Sequence, residues 1–310
     1  TTSAGVHLDQ QSYAQDILER NGLSNATPVA KMQWSEANGS ADDTPSDALV
    51  NAAQRCAGEI LWLSQRTRPD IAFSVSSCCS YTTSRPKLVI QIATVTMKYV
   101  KGTINYGLFY PNKENLDTFS EVRPTLNVEL PNELLTLNMI TGWSDSSFAN
   151  GQTVYSHGGL GVTVDTSLVY WKSARQKIQS TSTCESEMIE ICHADTAVSL
   201  VDSICTEIEG FERDSNIVAD NSPAVDLLNS ANTTHWRTRS LKVRAAAVAD
   251  KVAKGERKLR HIPGEVELGD LLTKMLPVDR IKLLNALCRV GPVPATKDFN
   301  ALKIALSPMQ

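Results

Sequence analysis

From residue 139 the chain changes its hydrophobic period. "MITGWSD", "GGLGVTVD" and "SLVYWKS" are short runs rich in β-branched and aromatic residues, separated by Gly, Asp and Ser turns, and they predict three strands. A helical stretch follows, "STCESEMIEICHADTAVSLVDSIC", then a strand-like "SNIVAD" and a helix "SPAVDLLNS". After a basic segment come a strand, "RKLRHIP", and a helix, "VELGDLLTKML". Three strands followed by helix, strand, helix, strand and helix predict an α/β sheet domain over residues 139–280. No internal repeat is visible.

The chain before it has another pattern. "QSYAQDILERNGL" places Tyr13, Ile17 and Leu18 on one helical face and stops at Gly22. "SDALVNAAQRCAGEILWLSQRTRPD" repeats apolar residues at helical spacing until Pro69, and "RPKLVIQIATVTMKYVKGT" starts with Pro86 and ends at Gly102. Residues 35–46 are polar and turn-rich, and so a loop. Residues 1–111 therefore form a mainly helical region, 112–138, with two prolines and no periodicity, a linker, and 281–310 a C-terminal tail. With 42% apolar and 21% charged residues in 310, both folded parts have enough apolar material for a core.

No apolar run approaches the roughly 18 residues of a membrane helix, and the start, "TTSAGVHLDQQ", has neither a basic nor an apolar signal region. The expectation is a soluble intracellular protein without a membrane partner, in a cytoplasmic particle or the nucleus and not secreted. Residue 1 is threonine, which suggests a processed product or a piece of something longer. The seven cysteines are odd in number and contain no C-x-x-C pair, which argues for reduced thiols over a disulfide framework or a zinc site.

The net charge of −4 is unevenly spread. Between Arg237 and Arg260 nine cationic residues face two anionic ones, a local +7, leaving −11 on the other 286 residues. Such a run is either a solvated helix face or a phosphate-binding strip, and the chemistry beside it decides which.

Four acids beside it sit at the ends of elements. Asp145 ends the first strand in "GWSDSS", Glu187 lies in the first helix, Asp220 ends the strand "IVAD", and Asp270 opens the last helix. If the strands of Asp145 and Asp220 are parallel neighbours, both carboxylates emerge at the carboxyl edge of the sheet, where α/β ligand sites form. Carboxylates gathered there repel one another unless a hard divalent cation compensates. Each also has a bland explanation: Asp145 and Asp220 as caps or turn formers, Glu187 as a surface residue, Asp270 as a partner of the helix dipole. Glu185 competes with Glu187 but points to a different face, and Glu190, on the Glu187 face, is a reserve candidate.

"GWSDSSFANG", "VYWKSARQKIQSTSTCESEMIEI", "VADNSPAVDLLNS", "HWRTRSLKVR" and "ELGDLLTKML", in that order, resemble the ribonuclease H domain of copia-type LTR retrotransposon polyproteins. Upstream, "QQSYAQDILERNGL", "LWLSQRTRPDIAFSVS" and "YVKGTINYGLFY" are similar to the thumb and connection region of the same polyproteins' reverse transcriptase. The resemblance implies a ribonuclease H-like mixed sheet flanked by helices, preceded by the thumb/connection-like region. It also implies Asp145, Glu187, Asp220 and Asp270 as catalytic, metal-binding carboxylates holding Mg²⁺ or Mn²⁺, two ions in all.

The implied reaction is endonucleolytic cleavage of the RNA strand of an RNA·DNA hybrid, with Arg237, Arg239, Lys242 and Arg244 on its phosphates. The missing polymerase portion or other subunits are the implied protein partners. A domesticated, non-catalytic scaffold or nucleic-acid-binding subunit is the alternative. The chain departs from the family where "RSLK" replaces R-T-K-H, where a second histidine gives way to "RAAAVAD", and at Gly269, a minor change from alanine. His261 in "RHIPGE" is either a stand-in for the histidine or, the preferred reading, a structural histidine. The only Asp-Asp pair, Asp42-Asp43, lies in a polar loop, so DNA synthesis by this chain alone is not expected.

Overall fold

The computed structural model describes residues 5–35, 45–112, 137–149, 153–229 and 242–293, except the side chains of 242–244. In chain order β1 (Gly5–Asp9), α1 (Gln11–Arg20), α2 (Asp47–Arg66), α3 (Ala72–Tyr81), α4 (Pro86–Gly102) and β2 (Gly107–Pro111) come first. Then follow β3 (Met139–Ser147), β4 (His157–Val164), β5 (Ser167–Arg175), α5 (Thr183–Glu209), β6 (Asp214–Ala219), α6 (Ser222–Asn229) and α7 (Lys242–Ala253). The described chain closes with β7 (Lys258–His261), a 3-10 turn at Gly264–Val266, α8 (Asp270–Thr273), α9 (Val278–Leu287) and β8 (Val290–Gly291). Two compact units result, residues 1–115 with 274–310, and residues 116–273.

In the first unit α2, α3 and α4 enclose an apolar core that includes Ile60, Leu63, Val75, Leu88 and Ile92. Ser46 caps α2 by accepting the Leu49 N–H at 3.4 Å, and Pro86 starts α4 where no donor is needed. Beneath them Arg68, 2% exposed, grips Asp70 through two hydrogen bonds of 2.9 and 2.8 Å, and the Tyr99 hydroxyl donates to the same carboxylate. A bidentate pair is the geometry in which a buried guanidinium is best compensated.

This unit differs from the sequence expectation in two ways. It holds a small antiparallel sheet, β1-β2-β8, and residues 274–291, expected to close the nuclease domain and begin a tail, pack within it. Ile281 joins its core and Val290 pairs with Leu108. The five-residue strands β1 and β2 are too short for period-2 alternation to stand out.

The second unit is built on one five-stranded sheet, order β5-β4-β3-β6-β7. β3 runs antiparallel to β4, and β4 to β5, whereas β6 lies parallel to β3 and β7 parallel to β6. α5 packs on the sheet and buries Met188, Ile191, Ala194 and Val198 with Ile140, Leu160 and Ile217. Ser182 caps its start and Gly210, in the left-handed region, ends it. This mixed sheet with flanking helices agrees with the expected ribonuclease H-like fold, with its unit closing at Thr273 and not at residue 280. The expected helix "VELGDLLTKML" is broken instead into the 3-10 turn and the single turn α8, because Gly269 weakens the run and Pro277 ends it.

Candidate metal centre

β3 and β6 are the parallel neighbours that the two aspartates need. Their register pairs Trp143 with Val218, so two residues further along each strand Asp145 and Asp220 stand side by side at the carboxyl edge. The capping task that would explain Asp220 blandly belongs to its neighbour: the Asn221 side chain accepts the Ala224 N–H at 3.0 Å at the start of α6. Asp220 is thus left to face the edge. Its backbone carbonyl accepts the exposed His261 Nε2–H at 3.1 Å, which makes His261 a support of the strand end.

Glu187 comes from the first turns of α5. The competitor Glu185 is occupied at the helix start: its Oε2 accepts the Thr181 N–H at 2.6 Å while its own N–H donates to Ser182 Oγ at 3.1 Å, a reciprocal cap. Glu187 instead turns inward, and its Oε1 accepts the Ser146 N–H at 3.2 Å, directly after Asp145 in β3. Glu190, one turn on, is buried and accepts from Gln176 Nε2 at 3.2 Å.

One oxygen each of Asp145, Glu187 and Asp220 lies within 4.8 Å of the others. Asp145 is 1% and Glu187 3% exposed. Carboxylates this close, two of them buried, repel one another and lose hydration; a hard cation with oxygen ligands offsets both effects, and this all-oxygen donor set fits Mg²⁺ or Mn²⁺. Asp270 is not one of the three. It opens α8 next to Gly269, where an added Cβ would stand 2.6 Å from the Asp145 Cβ and 2.7 Å from its backbone nitrogen. The glycine that looks like a minor change in sequence therefore lets α8 press against β3.

Sequence reading missed Glu267. It is fully buried, its Oε1 accepts the Gly269 N–H at 2.7 Å, and its Oε2 finds no hydrogen-bond partner among the described residues. Burial, aided by the charges of Asp145, Asp220 and Asp270, holds its carboxyl well above the usual carboxylate range. In sequence it looks like any acid in a surface turn. A folded-state pKa raised in this way favours folding below about pH 4 and loses that contribution as pH rises. Glu267→Gln keeps the acceptor and removes the titration. In EDTA its Tm should exceed that of the unaltered chain at pH 7, with the gain shrinking as pH falls to about 4; melts whose difference is the same at all pH values would contradict this.

The basic segment divides. Arg237 and Arg239, and the side chains of Lys242 and Arg244, lie outside the described residues. Lys251 and Arg257 turn inward to Asp195, at 2.6 and 2.9 Å, so two of the nine cations serve the fold.

No protein-family model matches the chain. It is 24% identical over 297 residues to the retrovirus-related Pol polyprotein from transposon RE1 of Arabidopsis thaliana, covering 93% of this chain and 18% of that protein. It is 21% identical over 294 residues to the corresponding polyprotein from transposon TNT 1-94 of Nicotiana tabacum, covering 92% of this chain and 20% of the relative. The transposon Ty1-JR2 Gag-Pol polyprotein of Saccharomyces cerevisiae is 20% identical over 235 residues, 76% of this chain and 12% of its own length. This chain thus spans a fifth or less of the length of these curated relatives.

Among solved structures, LC11-RNase H1 in complex with an RNA/DNA hybrid gives a TM-score of 0.34 at 18% identity, covering 43% of this chain and 92% of that one. The N-terminal RNase H domain of rv2228c from Mycobacterium tuberculosis gives 0.33 at 14%, covering 48% and 95%. The relatives span the mainly helical region and the ribonuclease H-like unit together, and the chain is a homologue of the retrovirus-related Pol polyproteins of copia-type transposons.

Proposed function

We propose that the chain is a divalent-metal-dependent endonuclease that cleaves the RNA strand of RNA·DNA hybrids, as the ribonuclease H part of a longer polyprotein. The observation that carries this reading is the convergence of Asp145, Glu187 and Asp220 within 4.8 Å at the carboxyl edge of the parallel pair β3 and β6. A non-catalytic scaffold gains nothing from two buried acids set against a third, whereas a metal site requires them. Asp145, Glu187 and Asp220 would hold the ion or ions, with Asp270 beside them on α8. A pair of ions held there would supply activation of a water and stabilisation of the leaving oxygen of a phosphodiester.

The chain's own residues do the rest. The Ser146 N–H keeps Glu187 turned towards β3, and the Asn221 cap keeps Asp220 at the edge. Arg237, Arg239, Lys242 and Arg244 would neutralise phosphates of a duplex recognised by its shape and its 2′-hydroxyls. The first unit would act as the thumb and connection region of the polyprotein's reverse transcriptase, beside its polymerase portion.

The test is a hybrid labelled on each strand in turn. With Mg²⁺ or Mn²⁺ the RNA strand is cut and the DNA strand is not, and EDTA stops the reaction; an intact RNA strand under all conditions refutes the proposal. Hybrid affinity, measured in EDTA, should fall steeply with salt, with a log–log slope of about −0.9 per phosphate contact for B-DNA as the guide. A flat slope would remove the basic segment from the binding surface.

A further inference from the structure

α8 is a single turn, yet it is fixed more firmly than its length explains. Gly159 in β4 presents bare backbone to it: an added Cβ there would lie 2.6 Å from the Leu272 Cβ and 2.7 Å from the Thr273 Cγ2. The Leu272 carbonyl accepts the Ser173 hydroxyl of β5 at 2.6 Å. That serine has spent its proton, so His157 Nε2, 2.8 Å from Ser173 Oγ, is the donor to it. Burial pushes the His157 pKa down to about 4, so a neutral imidazole with its proton on Nε2 fills this place at neutral pH. Three residues from two strands hold the peptide that precedes Thr273.

Thr273 is fully buried, and its hydroxyl donates to Asp145 Oδ2, with the Gly269 carbonyl oxygen also 3.1 Å away. A hydroxyl has one proton, and the carboxylate, which carries charge, is the stronger of the two acceptors. The last torsion of an aspartate is soft and nearly two-fold, so packing alone sets the direction of its oxygens poorly. A donor anchored through backbone on the opposite side sets it well.

We propose that Thr273 is a positioning residue for Asp145: its hydroxyl fixes the rotation of the carboxylate and so the direction of the oxygen offered to a cation. This rests on the reading of Asp145, Glu187 and Asp220 as a metal site. Neither the acidic cluster nor the strand ends alone would single out residue 273; the hydrogen bond from a buried hydroxyl to one of the three does.

Valine has the shape of threonine without the proton, and serine has the proton without the methyl group. Binding of Mn²⁺ to the full chain, followed by the electron paramagnetic resonance of free Mn²⁺, separates the two properties without reference to turnover. Thr273→Val should weaken Mn²⁺ binding about 10–100-fold, the range for loss of a partner that orients a metal ligand. Thr273→Ser should restore most of it. Thr273→Ala serves as a second hydroxyl-free variant, and each chain is first melted in EDTA to show that it is folded.

Binding unchanged in both hydroxyl-free variants overturns the positioning role and leaves the metal site standing. A loss as large in Thr273→Ser as in Thr273→Val assigns the effect to packing and also overturns it. Absence of Mn²⁺ binding by the unaltered chain overturns the metal site itself, and this inference with it.

Discussion

Asp220→Asn is expected to lower RNA-strand cleavage by more than about 100-fold, beyond what the loss of a partner that merely orients a ligand costs. The substitution changes one oxygen to an amide nitrogen and leaves size and shape nearly intact. It removes a full negative charge from a site where three carboxylates share a cluster within 4.8 Å. Two separate expectations attend it. The melting temperature in EDTA should hold or rise, because one of three mutually repelling charges is gone. Hybrid binding in EDTA should not fall, because the substitution removes a negative charge and none of the cations proposed to meet phosphate. A variant that cleaves like the unaltered chain would mean that Asp220 is a strand-end residue and no more, whereas one that neither folds nor binds would point to a structural role.

How far the site can be read from sequence depends on how locally each residue's task is defined. Asp145 and Asp220 are legible because each ends a strand-like run on a carboxylate, a position where burial of charge demands a reason. Their pairing follows once the sheet is mixed, with β3 and β6 adjacent. Glu187 and Glu185 are harder to tell apart in sequence, but hydrogen bonds to Thr181 and Ser182 at the start of α5 occupy Glu185. Glu267 and Thr273 give no such sign. Their roles arise from what lies across the sheet from them, 122 and 128 positions from Asp145 along the chain. The same holds for Gly269, whose value is set by the approach of α8 to β3.

The elements show the same division. Long periodic helices such as α2 and α5 announce themselves with caps at both ends or a proline beyond, whereas β1 and β8 exist only through their pairing with β2. Charge is the least legible feature of all. The +7 segment counts as one block in sequence, yet Lys251 and Arg257 both bond to the buried Asp195.

That inward pair yields the largest expected change in stability. Asp195, on the face of α5 opposite to solvent and 5% exposed, accepts from Arg257 Nε at 2.9 Å and from Lys251 Nζ at 2.6 Å. Ser199 Oγ, one turn on, accepts from the same two cations, at 3.0 and 2.9 Å, and Arg257 Nη1 also donates to Ser215 Oγ of β6. One carboxylate therefore joins α5 to α7 and, through Arg257, to β6, the strand that leads into Asp220. Asp195→Ala leaves the Arg257 guanidinium, also 5% exposed, without its charge partner. Breaking a buried pair from one side typically costs about 3–5 kcal/mol. For a unit of this size that corresponds to a Tm lower by roughly 6–20 °C. Because the pair is buried, added salt should change the loss little.

Pairing the substitution with Arg257→Met removes the stranded charge and should return a large part of the stability, as replacing a whole buried pair by apolar groups often does. Lys251, whose side chain is 31% exposed, can turn to water in either variant. Additive losses in the double variant would show that Asp195 and Arg257 are not coupled. The double variant also divides the basic segment by experiment. If Arg257 serves only the fold, the salt slope of hybrid binding is the same with and without it; a slope reduced by about one contact would place Arg257 on the phosphates instead.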